Sequence, residues 1–219
     1  MKTRRARSEE FKISIFVFCL LQSAIFFSGC VAMQVGGEIQ DGRMQLLYGD
    51  PKSALVHFQR AAELNPDYLY YSVLPQGVWT YVGRAHYAAG RLPEARQALE
   101  RAVARHQRDS MGRLYLGLVL ARDGDRQRGL TEFESGLRGI YDWLDSFIYN
   151  TSYGRFWDPL REIRSEIQSD VAMISGKQID WQKLIVSGEW LGKRMEEEID
   201  LARRDERDDF FRQGAGREP

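Results

Sequence analysis

The sequence predicts an all-α fold of about three repeats closed by C-terminal helices, and three observations carry that expectation. Gly42, Gly83 and Gly117 are spaced by 41 and 34 residues, and the same two offsets relate four more columns: Gly49, Gly90, Gly124; Ala54, Ala95, Gly129; Phe58, Leu99, Phe133; and Ala61, Ala102, Gly136. Gly49 precedes Asp50 and Pro51, Gly90 precedes Arg91 and Gly124 precedes Asp125, so each repeat carries a turn signal after its first helix. Beyond the repeats, apolar residues recur at steps of three and four, as one face of a helix requires.

Composition bounds the rest. The 219 residues are 43% hydrophobic and carry 31 basic and 31 acidic side chains, which suits one globular domain of modest size. A balanced charge argues against nucleic acid as a partner, because phosphate binding normally leaves a basic excess. Both cysteines, Cys19 and Cys30, fall in the first 30 residues, so disulfide and thiolate-metal chemistry are excluded beyond them.

The N-terminus reads as an export segment. Lys2, Arg4, Arg5, Arg7 and Lys12 precede a run from Ile13 to Phe27 that is apolar except for Ser14, Gln22 and Ser23, and small residues Ser28 and Gly29 then lead to Cys30. This order is that of a secretory signal. Phe27, Ser28, Gly29 and Cys30 resemble a bacterial lipobox, with Phe27 where leucine is usual; the resemblance implies cleavage before Cys30 and lipidation of its thiol. The alternative is an uncleaved helix from Ile13 to Met33, 21 residues and long enough to cross a bilayer. Either way the folded part is tethered to a membrane. Loss of residues 1–29 as a signal peptide leaves 26 basic and 29 acidic side chains, a mildly acidic mature domain. Val31 after the cysteine, rather than an aspartate retention signal, favours an outer membrane facing the periplasm in a host with two membranes; in other hosts the plasma membrane would hold the anchor.

The repeat columns follow, with residues 30–34 as a lipidated start and short linker. A 34-residue period with small residues in this order resembles the tetratricopeptide repeat. Trp79, Val82, Gly83, His86, Ala95 and Leu99 stand at its characteristic positions in the second copy; Ala54, Phe58, Ala61 and Pro66 do so in the first, and Leu116, Gly117 and Phe133 in the third. The copies run over 35–68, 76–109 and 110–143. The resemblance implies a solenoid of antiparallel helix pairs, in which small residues let the two backbones approach and Phe58, Leu99 and Phe133 fill the space between helices. Because Gly129 and Gly136 replace the usual alanines, at about 1 kcal/mol of helix propensity each, the third copy is predicted to be the loosest. Residues Leu69 to Pro75 interrupt the array, either as a loop whose neighbouring Tyr68, Tyr70 and Tyr71 pack on the stack or as a partner-contacting loop.

A C-terminal cap or extension is assigned to 144–206. Seven aromatics between Tyr141 and Trp157 suit a cover for the open end of the stack, the alternative being an exposed cell-wall glycan-binding platform. Asp158 and Pro159 predict a helix start, with Leu160, Ile163, Ile167, Val171 and Ile174 on its apolar face. A second helix is predicted after Asp180, with Trp181, Leu184, Gly188, Leu191, Met195, Ile199 and Ala202 on one face. Glu196 to Asp209 is charge of mixed sign and reads as a solvated helix end, with 207–219 a charged flexible tail.

His57, His86 and His106 have no ligand spacing, and no phosphate loop, nucleophile elbow or dinucleotide fingerprint occurs. Catalysis, a metal and a cofactor are therefore not expected. The family resemblance instead implies a concave groove lined by first helices, for a protein or peptide partner. Carried over by position, its residues are Ile39, Arg43, Leu46 and Leu47; Thr80, Arg84 and Tyr87; and Leu114, Leu118 and Arg122. Aliphatic surface with three arginines suits a peptide bearing apolar anchors and acidic groups. Packing of the C-terminal helices into the same groove is the alternative.

Overall fold

The computed structural model describes residues 31–70, 74–176 and 178–215. The export segment, Cys30, Tyr71 and the last four residues lie outside them.

Three helix pairs follow one another. Helix α1 covers 31–47 of the described residues, so residues 31–34, expected as part of a short linker, are helical. It ends at Gly49, and α2 (Pro51–Leu64) starts behind Asp50, whose carboxylate accepts from Ser53 N at 3.0 Å. A short antiparallel pair of strands, β1 (Leu69–Tyr70) and β2 (Gln76–Gly77), then leads into α3 (Val78–Ala88) and α4 (Leu92–Arg105). Next come α5 (Ser110–Asp123), capped by the Asp109 carboxylate on Gly112 N at 2.8 Å, and α6 (Arg126–Asn150). The turn glycines Gly49, Gly90 and Gly124 have φ of +84°, +72° and +92°, a region that side chains with a Cβ rarely enter.

The repeat columns meet inside each pair. A Cβ on Gly42 would lie 2.4 Å from the Phe58 ring, one on Gly83 2.4 Å from Leu99, and one on Gly117 2.6 Å from the Phe133 backbone. The Phe58 and Leu99 side chains thus occupy the space left by the glycine sixteen positions earlier, whereas at Gly117 the backbone of α6 comes close and the Phe133 ring reaches on to Gly188. The third pair is where the expectation of looseness fails. A Cβ on Gly136 would sit 2.5 Å from Leu114 N and one on Gly129 3.0 Å from Ala121 N. The helix propensity lost at these glycines is exchanged for backbone-to-backbone contact between α5 and α6.

In the insertion between the first two pairs, Tyr68 and Tyr70 lean on the first core. Tyr70 Oη donates to Gln40 Oε1 at 3.2 Å, and its ring meets Tyr81 edge-on at 6.2 Å. Much of the aromatic segment, which spans the last turns of α6 and the residues after it, packs inward as well. Trp157 is buried, and its ring meets Trp143 and Phe147 at 5.4 and 5.3 Å. Tyr149 and Tyr153 stay exposed.

Helix α7 (Glu162–Ile174) begins later than Pro159. Residues 158–161 form a turn, and Leu160, expected on the apolar face, is 78% exposed. Asp158 still caps the helix from a distance: its carboxylate accepts from Ile163 N at 3.0 Å and Arg164 N at 3.2 Å, and pairs with Arg164 Nε at 2.9 Å. The last helix, α8 (Trp181–Ala215), starts behind Asp180, which accepts from Lys183 N. Its 35 residues reach about 52 Å and extend through most of the segment expected to be a flexible tail. Leu184, Leu191, Met195, Ile199 and Ala202 are buried, while Gly188 and Gly192 admit Phe133 with Leu118 and Tyr115 respectively.

Candidate interaction groove

The first helices of the three pairs, α1, α3 and α5, present successive turns to one concave face, and α8 lies along that face in the opposite direction. Tyr87, near the end of α3, meets Glu189, while Arg84, one turn earlier, meets Glu196.

The ten residues predicted to line the groove divide into three groups. Ile39, Thr80, Leu114 and Leu118 have no exposed surface, which corrects their assignment to a partner-facing lining. They are core, because α8 and the adjoining helices cover them. Thr80 Oγ1 donates to Asp109 Oδ2 at 2.6 Å, and the same carboxylate accepts from Gly77 N at 2.7 Å. Burial pushes the Asp109 carboxyl up, while the hydrogen bonds from Thr80, Gly77 and Gly112 act against the shift. Thr80 therefore ties α3 to the start of α5.

Arg43 and Arg84 form the second group, both almost fully buried around Glu196 of α8. Arg43 Nε lies 2.5 Å from Glu196 Oε2, Arg84 Nη1 pairs with Glu196 Oε1, and Gln76 Nε2 donates to Oε1 at 3.0 Å. Gln76 also accepts from Arg84 Nη1 at 2.9 Å, and Gln40 accepts from Arg43 Nη1 at 2.9 Å. The Arg84 guanidinium lies 5.0 Å from the Tyr115 ring centroid and 5.5 Å from that of Tyr81. Burial alone would raise the Glu196 carboxyl, but two guanidinium charges and the hydrogen bonds from Gln76 and Arg43 outweigh it and hold the group down at about 2. Glu196 and Glu198, 1% and 2% exposed, are thus not part of a solvated helix end.

Leu46, Leu47, Tyr87 and Arg122 make up the third group and keep contact with solvent. Glu189 joins two of them: Tyr87 Oη donates to it at 2.5 Å, and Arg122 Nη2 lies 2.5 Å from the same oxygen. Burial and the Glu189 carboxylate both push the Tyr87 phenol up, so it remains a donor. Between the mouth of the groove and α8 is a cavity of about 550 Å³, lined by Leu46, Leu47, Ala88, Tyr115, Arg122 and Lys193, with the Arg43–Glu196–Arg84 cluster at its back.

Sequence reasoning missed Glu189, Lys193 and Glu196 as parts of this face. The available signal was the seven-residue interval between Glu189 and Glu196, two helical turns that place both carboxylates on one face of α8.

Among the described residues, no group of three or more His, Cys, Asp or Glu side chains is placed to hold a metal ion. His57 Nδ1 lies 2.8 Å from Glu38 Oε2, and burial lowers the pKa of His86. Both histidines belong to the helix stack.

Comparison with known families matches residues 45–114 to the tetratricopeptide repeat. No curated protein and no solved structure matches the chain. Residues 45–114 carry tetratricopeptide repeat sequence, and the helices around them extend it into an all-α solenoid of the kind that generally mediates contacts between proteins.

Proposed function

We propose that the chain is a lipid-anchored adaptor or assembly scaffold of the bacterial cell envelope, which holds a protein partner at the cleft between its repeats and α8. The observation that carries the reading is the cleft itself. It stands on the concave side of a tetratricopeptide stack, and it keeps aliphatic, aromatic and cationic surface open where α8 leaves the groove uncovered. The lipobox-like Phe27–Cys30 supports the anchor, and the basic and apolar segment before it supports export.

The groove test belongs on the accessible residues, since a charge reversal at buried Arg84 would attack the fold. Leu47→Asp with Arg122→Glu should abolish crosslinked partner adducts in the native envelope while leaving the helical circular dichroism signal unchanged. Undiminished adducts from the double variant would refute the cleft. For the anchor, Cys30→Ser should abolish incorporation of a fatty-acid probe, and persistent labelling would remove the lipoprotein assignment.

A further inference from the structure

We infer that the end of the solenoid bearing the N-terminus of α1 is a lipid-contacting face, on which Met33, Tyr149, Tyr153, Phe210 and Phe211 lie against the headgroup region of the membrane. The inference rests on the membrane tether proposed above and adds the orientation of the folded domain upon it.

Helix polarity places these residues. Because α8 runs opposite to α1, and Arg43 meets Glu196 and Asp200, the ten residues from Arg43 back to Met33 advance about 15 Å toward the level of Asp208. The α6 end reaches the same level, since Trp157 Nε1 donates to Glu206 at 3.0 Å and Arg155 Nη2 lies 2.5 Å from Asp209. Tyr149 and Tyr153 stand just before this junction, and Phe210 and Phe211 follow it directly.

Exposure makes the grouping informative. Met33 is 77% exposed, Tyr149 72%, Phe210 67% and Phe211 69%, with Tyr153 also exposed. Five of the eleven exposed large hydrophobics among the described residues therefore collect at one end of the molecule. Single exposed apolar residues need no explanation, but a group of them marks a contact surface. The occupant is indicated by chain connectivity: the chain is already helical at Val31, the residue that follows Cys30 and the apolar run from Ile13 to Phe27. A domain joined to a membrane at that point, with no spacer, must rest this end on the bilayer.

The chemistry agrees. Tyrosine suits such an interface because its ring is apolar and its hydroxyl wet, phenylalanine and methionine supply purely apolar surface, and the exposed Arg204, Arg207 and Arg212 can reach headgroup phosphates while their stems lie on apolar surface. Asp205 and Asp208 alternate with them, so the contact is apolar in origin and needs no anionic lipid.

The test uses the full chain in vesicles of phosphatidylethanolamine and phosphatidylglycerol containing a radiolabelled phospholipid. A photo-crosslinking amino acid replaces Phe210 or Tyr149, or, as controls of similar exposure, Tyr48, Val56 or Val186. Lipid adducts at Phe210 and Tyr149 should exceed those at the controls at least fivefold, in phosphatidylcholine vesicles as well. Equal yields at both sets of positions, in chains that float with the vesicles, would overturn the lipid-contacting face while leaving the tether standing. Failure of the full chain to float would overturn the tether and the face together. Fatty-acid labelling that persists in Cys30→Ser would refute lipidation alone, and the adduct ratio would still decide the face.

Discussion

Glu196 shows how one side chain can settle the state of an entire face. It brings a negative charge to two guanidiniums, and all three groups are withdrawn from water. Removing one partner of such a cluster strands the others, at a cost of about 3–5 kcal/mol. Glu196→Ala should therefore lower stability by that order in urea unfolding, and Glu196→Gln, which keeps hydrogen-bonding capacity, by less. The carboxyl sits at about 2 when folded against an ordinary value of 4.5, so its contribution is complete above pH 4.5 and fades as the pH falls toward 2. The gap in melting temperature between wild type and Glu196→Gln should accordingly close over that interval; a constant gap would contradict the ion cluster. Asp170 has the opposite sign. Burial between α7 and α8 raises its carboxyl to about 6, and Ser187 Oγ, with one proton to give, lies 2.6 Å from Asp170 Oδ2 and 2.7 Å from Glu166 Oε1. The stability tied to Asp170 is complete below pH 3.8 and is lost as the pH rises through 6. Asp170→Asn should melt increasingly above wild type across that range in a pH series, and a flat difference would remove Asp170 as the titrating group.

At the scale of an element, the same residue type does two different things. The turn glycines are required by backbone conformation, whereas Gly42, Gly83 and Gly117 are required by what faces them. Both uses were legible in the sequence, because the repeat register aligned each glycine column with a column of large residues sixteen positions on. Gly136 was not legible in that way. Propensity alone ranks alanine above glycine there by about 1 kcal/mol, and only the contact with Leu114 N and Ser110 O reveals that no Cβ fits. Gly136→Ala should consequently destabilise the protein by about 1–3 kcal/mol in denaturant unfolding, the usual cost of overpacking, despite the better helix former. A stabilised variant would mean that α5 and α6 can separate without loss. The start of α7 makes a related point. Asp158 and Pro159 looked like a cap and first turn, and the carboxylate does cap the helix, but from a turn whose residues Asp158 and Arg161 have φ of 45° and 59°. Local sequence identified the capping group and misplaced the first helical residue.

For the whole molecule, the repeats read well because their contacts join neighbours in sequence, within a pair or between adjacent pairs. The concave face read less well because its main occupant lies far along the chain: Arg43 and Glu196 are separated by 153 residues. The residue types still indicated the chemistry, since arginines among aliphatic side chains call for a carboxylate with apolar neighbours. Helix α8 answers that description with Glu189, Glu196, Leu191, Met195 and Ile199. This arrangement decides what α8 is to the fold. If it were a loosely held peptide, ending the chain after Asp180 would leave a stable solenoid with an open groove and a melting temperature close to that of the full protein. Its buried positions argue otherwise, because Leu118, Tyr115 and Phe133 would lose their cover and Arg43 and Arg84 would keep their charges without Glu196. The shortened chain should therefore aggregate or unfold cooperatively at a much lower temperature, as followed by light scattering and circular dichroism. Restoring α8 as a separate peptide should recover stability only when the peptide carries glutamate at the Glu196 position. Rescue by an alanine-substituted peptide equal to that by the native one would show that apolar burial alone seats the helix, and that the two arginines tolerate the loss of their carboxylate.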